Sequence, residues 1–198
     1  MNKKANTDYP ILETISNRWS PRSFREDEIP NEKIRSLFEA ARWASSGFND
    51  QPWRYMVGSK GSTSWNNLLD CLVEGNRDWA KKAPFLILVC AETISKTTGK
   101  FSTYATFDAG QSLALLCIQA TELGLYTHPM AGFHKDKAIS LFHLPSTVEP
   151  IVILAVGYKD SPDLLPENLK NLEVSPRQRK NFNEFVFTDK FNQPSEIF

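Results

Sequence analysis

The chain has 198 residues, enough for one domain with a sizeable core, and it balances 23 Lys and Arg against 23 Asp and Glu for a formal net charge of zero. That balance gives no basic excess to hold a nucleic-acid backbone, so the expected partner is a small molecule or a second copy of the chain. Cys71, Cys90 and Cys117 are odd in number, widely spaced and set in apolar runs, which argues against a disulfide framework or a zinc site, and no apolar run reaches membrane-spanning length. A soluble, unprocessed cytoplasmic protein with reduced core cysteines is expected.

Ile11, Leu12 and Ile15 recur at helical spacing behind Pro10, which suits a first turn. The short helix they predict delivers the chain into Asn17-Arg18-Trp19-Ser20-Pro21-Arg22-Ser23-Phe24, where Arg18, Ser20 and Arg22 lie close together. Guanidinium forks meet phosphate oxygens in pairs and a hydroxyl adds a further hydrogen bond, so the trio suits a monophosphate. The alternative is a solvated basic edge beside Glu26, Asp27 and Glu28. After Pro30, a helix capped by Asn31 carries Ile34, Leu37, Phe38, Ala41 and Ala44 and ends near Ser45 or Ser46. There Ala44-Ser45-Ser46-Gly47-Phe48-Asn49-Asp50-Gln51-Pro52-Trp53 interrupts the periodicity with small and amide side chains.

Residues 53–57 read as a strand, 58–61 as a turn and 64–73 as a helix with Trp65, Leu68, Leu69 and Leu72 on its apolar side. Asn76 then falls in a loop. The unbroken apolar run from 83 to 91 predicts a strand covered on both faces. Residues 104–123 form a long helix stopped by Gly124, and Leu113, Leu115, Leu116, Cys117, Ile118 and Ala120 cover so much of its circumference that it should be central. An extended piece at 126–130, a helix at 135–142 and an apolar strand at 150–158 follow. Pro162, Pro166 and Pro176 make 159–176 an extended loop, and Phe182, Phe185, Val186 and Phe187 suggest an edge strand before a loose terminus. Trp43, Trp53, Trp65 and Trp79 are expected in the core or an interface. Helices interleave with buried strands, which argues for an α/β or α+β sheet covered on both sides.

The two polar segments together resemble the FMN-dependent nitroreductase family. There, Arg-x-Ser-x-Arg or Arg-x-Ser-x-Lys precedes Pro-Ser-x-x-Asn-x-Gln-Pro-Trp by one helix, and both elements contact the flavin. The first element matches fully here, and the second departs once, with Ser45 in the place of Pro. The resemblance covers nearly the whole chain. It implies an α+β fold, a three-layer sandwich with a central mixed β-sheet flanked by helices around the long central helix. It also implies a single domain over 1–198 and an intertwined homodimer whose tail, 177–198, reaches the partner. FMN is the implied cofactor, NADH or NADPH the transient co-substrate, and a nitroaromatic or quinone the kind of small-molecule electron acceptor. A flavin-binding or flavin-modifying protein without nicotinamide turnover is the alternative, and a cofactor-free domain binding an acidic partner is a third reading.

Carried over residue by residue, the resemblance puts Arg18 and Ser20 at the phosphate and ribityl end and Arg22 at the pyrimidine edge, with Trp19 among the cofactor-binding residues. A positive charge there raises the flavin's potential. Ser45, Ser46, Gly47 and Asn49 line the flavin from the other subunit or from below, while Gln51, Pro52 and Trp53 serve as scaffold. Asn76 matches a flavin-touching Asn or is an ordinary loop residue. Met130 and Gly132 belong to a segment whose backbone amide faces N5, with Ala131 replacing the family's acid. Arg177 and Arg179 resemble a basic pair closing on the phosphate, or form a solvated face. Hydride transfer needs no protein base, so no catalytic side chain is assigned. Rossmann, Walker and Gly-x-Ser-x-Gly motifs are absent; the loop from Thr93 to Lys100 reads as solvated, and His128, His134 and His143 lack zinc-ligand spacing.

Overall fold

The computed structural model describes residues 3–197. Strands β1 (Trp53–Ser59), β2 (Phe85–Glu92), β3 (Tyr126–Met130) and β4 (Val148–Gly157) form one sheet in the order β1-β2-β4-β3. All three pairings are antiparallel, which corrects the expected mixed sheet. Ser59 pairs with Phe85, so the excursion between β1 and β2 leaves and re-enters the sheet at the same end and reverses the chain. The β2/β4 register shifts between Val89 and Cys90, where the partner is Pro150, a residue with no N–H to give.

Side chains of β2 alternate between two apolar layers, as pleated chain requires. Phe85, Ile87 and Val89 pack with Leu37 and Ala41 of α2 (Asn31–Arg42) and with Leu116 and Ala120 of α5 (Ala105–Glu122). Leu86, Leu88 and Cys90 pack with Leu68 and Cys71 of α3 (Thr63–Cys71), Trp79 of α4 (Glu74–Ala80) and Ala138 of α6 (Lys135–Phe142). The result is the expected three-layer α+β sandwich with its long helix. Gly58 lets α3 approach β1, because a Cβ there would lie 2.3 Å from the Trp65 nitrogen. Gly124 ends α5 with φ +73°. All three cysteines are buried and free.

Several expectations are corrected. The first helix, α1, spans Glu13–Asn17 and leaves Pro10 outside it. α2 stops at Arg42, and Pro30, which has no side-chain cap bond, takes the N-cap place expected of Asn31. Trp43 is 74% exposed and so no part of the core. Asn76 lies on α4, a helix whose burial of Trp79 and Ala80 outweighs the poor propensity of Gly75. The presumed loop after 159 folds into a 3-10 turn (Pro162–Leu164) and a helix, α7 (Glu167–Val174). Pro166 starts that helix, with Glu167 in the first turn, and Leu165 and Leu169 pack on the α3/α4 layer. The tail forms no edge strand among the described residues; it makes a 3-10 turn at Phe182–Glu184 and a single bridge from Phe187 to Pro194. No described helix is long and apolar enough to cross a membrane.

Candidate functional site

Arg18 closes α1 by donating its backbone N–H to Thr14 O, and from there the chain is extended. Trp19, Pro21 and Ser23 are buried along it while Arg18, Ser20 and Arg22 are half-buried. That two-residue alternation sets the three polar side chains on one face. Arg18 Nη1 donates to Ser20 Oγ at 3.4 Å. The Trp19 indole packs on the opposite side, edge-on to Tyr126 at 6.1 Å between ring centroids, with Lys3 Nζ 4.7 Å above it.

The segment runs beside the chain leaving β4. Arg25 N–H donates to Tyr158 O, Asp160 N–H to Ser23 O, and Ser23 Oγ to Ser161 O. From α7, the Glu173 carboxylate accepts the N–H of Arg22 at 2.9 and 3.1 Å and that of Ser23 at 3.3 Å.

Four cations gather here. Burial, reinforced by Arg18 and Arg179, lowers the pKa of Arg177. Burial also lowers that of Lys3, with Glu173 opposing and Arg177 and Arg22 adding to the depression. Among the described residues no carboxylate forms an ion pair with Arg18, Arg22 or Arg177. Four cations against the one Glu173 carboxylate, partly desolvated and without side-chain ion pairs, leave net positive charge that attracts an anion. Arg177 Nη1 donates to Lys3 O and Ser16 O, both at 2.8 Å, and so joins the group. Arg179 does not: it is exposed, bonded to Gln178 O, and lines a separate cavity with Tyr9, Phe182 and Phe185.

His128 lies behind the arginine segment, its Nδ1 2.9 Å from Pro21 O and its ring 4.5 Å from Trp79. Burial pushes its pKa down to about 4, and Arg22 and Arg18 add to the shift. Through Trp79 it ties the segment to α4, where Asn76 Nδ2 donates to Gly132 O at 3.0 Å. Gly132 leaves room for that amide, because a Cβ would sit 2.7 Å from Asn76 Nδ2 and displace it. Met130 is buried at the end of β3, opposite Ile153. A cavity of about 370 Å³ opens beside Arg22, lined by Phe24, Trp79, Leu165 and Leu169, so the segment after 159 supplies one of its walls.

The second motif is elsewhere. Ser45 Oγ donates to Gln111 Oε1 at 2.8 Å, and Gly47 N–H donates to Asp108 Oδ2 at 3.0 Å, both on α5. Ser46 Oγ accepts the Gln51 N–H at 3.1 Å. Phe48, Asn49 and Gln51 have φ of 52°, 55° and 48°, a left-handed run of non-glycine residues held from outside by Thr97, whose hydroxyl donates to Asp50 at 2.6 Å. Thus part of the loop read as merely solvated braces this one. The Ser45–Asn49 group precedes β1, one edge of the sheet, and the Arg18–Arg22 group packs beside β3, the other edge. Among the described residues no hydrogen bond joins the two groups.

Sequence reasoning missed Glu173 and His128 as parts of the site. Their partners are 150 and 107 residues away, and no local pattern announces them. Asp108 was legible only as an acid near a helix start, an ordinary placement.

A family model described as the nitroreductase family matches residues 15–70 and 60–158. A crystal structure of an oxidoreductase containing FMN superposes with a TM-score of 0.90 at 33% identity, covering 98% of each chain. A provisionally named NADH dehydrogenase/NAD(P)H nitroreductase of Methanothermobacter thermautotrophicus is 27% identical over 154 residues, 75% of this chain and 76% of its own. The iodotyrosine deiodinase of Thermotoga neapolitana is 27% identical over 174 residues, 77% of this chain and 90% of its own.

Proposed function

The chain belongs to the nitroreductase family, and from that premise we propose that it is an FMN-dependent oxidoreductase using NADH or NADPH to reduce an electrophilic acceptor such as a nitroaromatic or quinone. The observation that carries this reading is the cationic face of Arg18, Ser20 and Arg22, joined by Arg177 and lacking carboxylate partners among the described residues. Its donor chemistry fits the phosphate of FMN, since guanidinium groups and a hydroxyl present several donors to one dianion. The FMN-containing structural neighbour supports the cofactor, and the name of the Methanothermobacter relative supports the nicotinamide.

Arg18, Ser20 and Arg177 would hold the phosphate end, and Arg22 the pyrimidine edge. Asn76, Met130 and Gly132 would border the ring from α4 and the end of β3. Bound there, FMN supplies a ring that accepts a hydride and passes electrons onward. The charge of Arg22 favours that acceptance.

Ser45, Ser46, Gly47 and Asn49 lie on the β1 side of the sheet, away from the arginine face, and we take them to meet the flavin of a second copy, in a homodimer in which each chain lends the loop to its partner. Exposed Trp43, Phe48, Phe107 and Leu115, on and around the α2 and α5 side, supply apolar surface for that association. Sedimentation of the purified protein tests it, and a monomer at micromolar concentration would count against it.

Purified protein should be yellow or take up FMN, and anaerobic NADH or NADPH should bleach it. Persistence of the oxidised spectrum would leave a flavin binder without nicotinamide turnover, and a colourless protein that cannot be reconstituted would remove the reading. Reoxidation rates with nitroaromatic, quinone and halotyrosine acceptors then rank the substrates.

A further inference from the structure

Among the described residues two acids are buried, Asp108 and Glu173. Glu173 is the more anomalous. It is 3% exposed, it sits one residue from the C-terminus of α7, where the helix dipole disfavours a negative charge, and no Lys or Arg forms an ion pair with it among the described residues. Lys3 Nζ, the nearest candidate, donates to the backbone oxygen of Glu173 at 2.6 Å. The carboxylate's bonds go to the Arg22 and Ser23 amides instead.

We propose that Glu173 is a positioning residue. By accepting backbone amides it fixes the extended segment in the register that turns Arg18 and Ser20 to the phosphate end and Arg22 to the pyrimidine edge of one flavin. It does so without occupying a guanidinium of Arg18 or Arg22. A salt bridge to Arg22 would hold the same segment but neutralise the charge the site needs. Arg177, three residues beyond α7, holds the other end by its bonds to Ser16 O and Lys3 O. The two ends of the arginine segment are therefore both held from the chain around α7.

This inference rests on the FMN reading of the arginine face, and its test separates the two. Dissociation constants for FMN and for riboflavin, which lacks the phosphate, are measured on the full-length protein, on Glu173→Gln and on Glu173→Asp. The parent should prefer FMN strongly. In Glu173→Gln, one oxygen becomes an NH₂ that faces a backbone N–H, and FMN affinity should fall about tenfold or more while riboflavin, which meets Arg22 but not the phosphate donors, should weaken by a clearly smaller factor. Glu173→Asp keeps the charge but shortens the reach, and should fall between parent and Gln.

A parent that binds FMN and riboflavin equally would remove the phosphate assignment and this inference with it. A discriminating parent whose preference survives in both variants overturns the inference alone. So does loss of fold in both, judged by circular dichroism, because Glu173 would then be a purely structural acid.

Discussion

The Arg18–Ser23 segment and the Ser45–Gln51 loop are held in the same way and are otherwise opposites. Each is anchored by a buried carboxylate that accepts backbone amides, Glu173 for the first and Asp108 for the second. The first is relaxed extended chain carrying concentrated positive charge; the second has no cation and one acid, Asp50, already bonded by Thr97, and is tight and left-handed at three non-glycine positions. The contrast separates two physical tasks. Charge acts at a distance and tolerates small errors of placement, so a relaxed backbone suffices, whereas uncharged hydrogen-bonding groups work only at contact and need a backbone locked by its surroundings.

The largest expected effect tests the environment of the charged region. His128 is held neutral, with its pKa lowered from 6.5 to about 4 by burial. A folded-state pKa below the unfolded one gives stability that is complete above pH 6.5 and lost as pH falls toward 4, here by about 3 kcal/mol. Urea unfolding across that window should show this loss, and His128→Gln should flatten it; an equal slope in both proteins would mean that His128 is not the group responsible.

Arg18→Ala sharpens the comparison. FMN affinity should fall about a hundredfold, with riboflavin affinity nearly unchanged and a weaker dependence on salt. Asp108→Asn should behave differently, weakening FMN and riboflavin alike by about tenfold and lowering folding stability by about 1–2 kcal/mol, because it loosens the loop that carries no cation. If the two variants give the same FMN-to-riboflavin ratio, the division of tasks between the regions is wrong. The smallest effect is expected for Gln51→Gly. Relief of the left-handed backbone should raise thermal stability by about 1 kcal/mol, and a lower melting temperature would show that the loop stores no strain.

Much of this was legible without coordinates. Helical spacing located α3, α5 and α6, and unbroken apolar runs located β2 and β4. Arg18, Ser20 and Arg22 were placed on one short segment from their spacing alone. Failures came where local signals had two meanings. Pro166 was taken as loop punctuation, yet proline also opens helices, and packing of Leu165 and Leu169 chose the helix. Trp43 reads as core or interface by type, and its place just past the end of α2, in the open, removes the core alternative.

Periodicity and side-chain chemistry, both local properties, settled the elements, the layers and the arginine face. The chain's path through space decided the rest: an antiparallel sheet, two motifs at opposite edges, and which acid holds which segment. Glu173 meets Ser23 across 150 residues. Such a bond is created by the packing of α7 against the layers beneath it, and no spacing in a linear text encodes where two distant segments will come to rest.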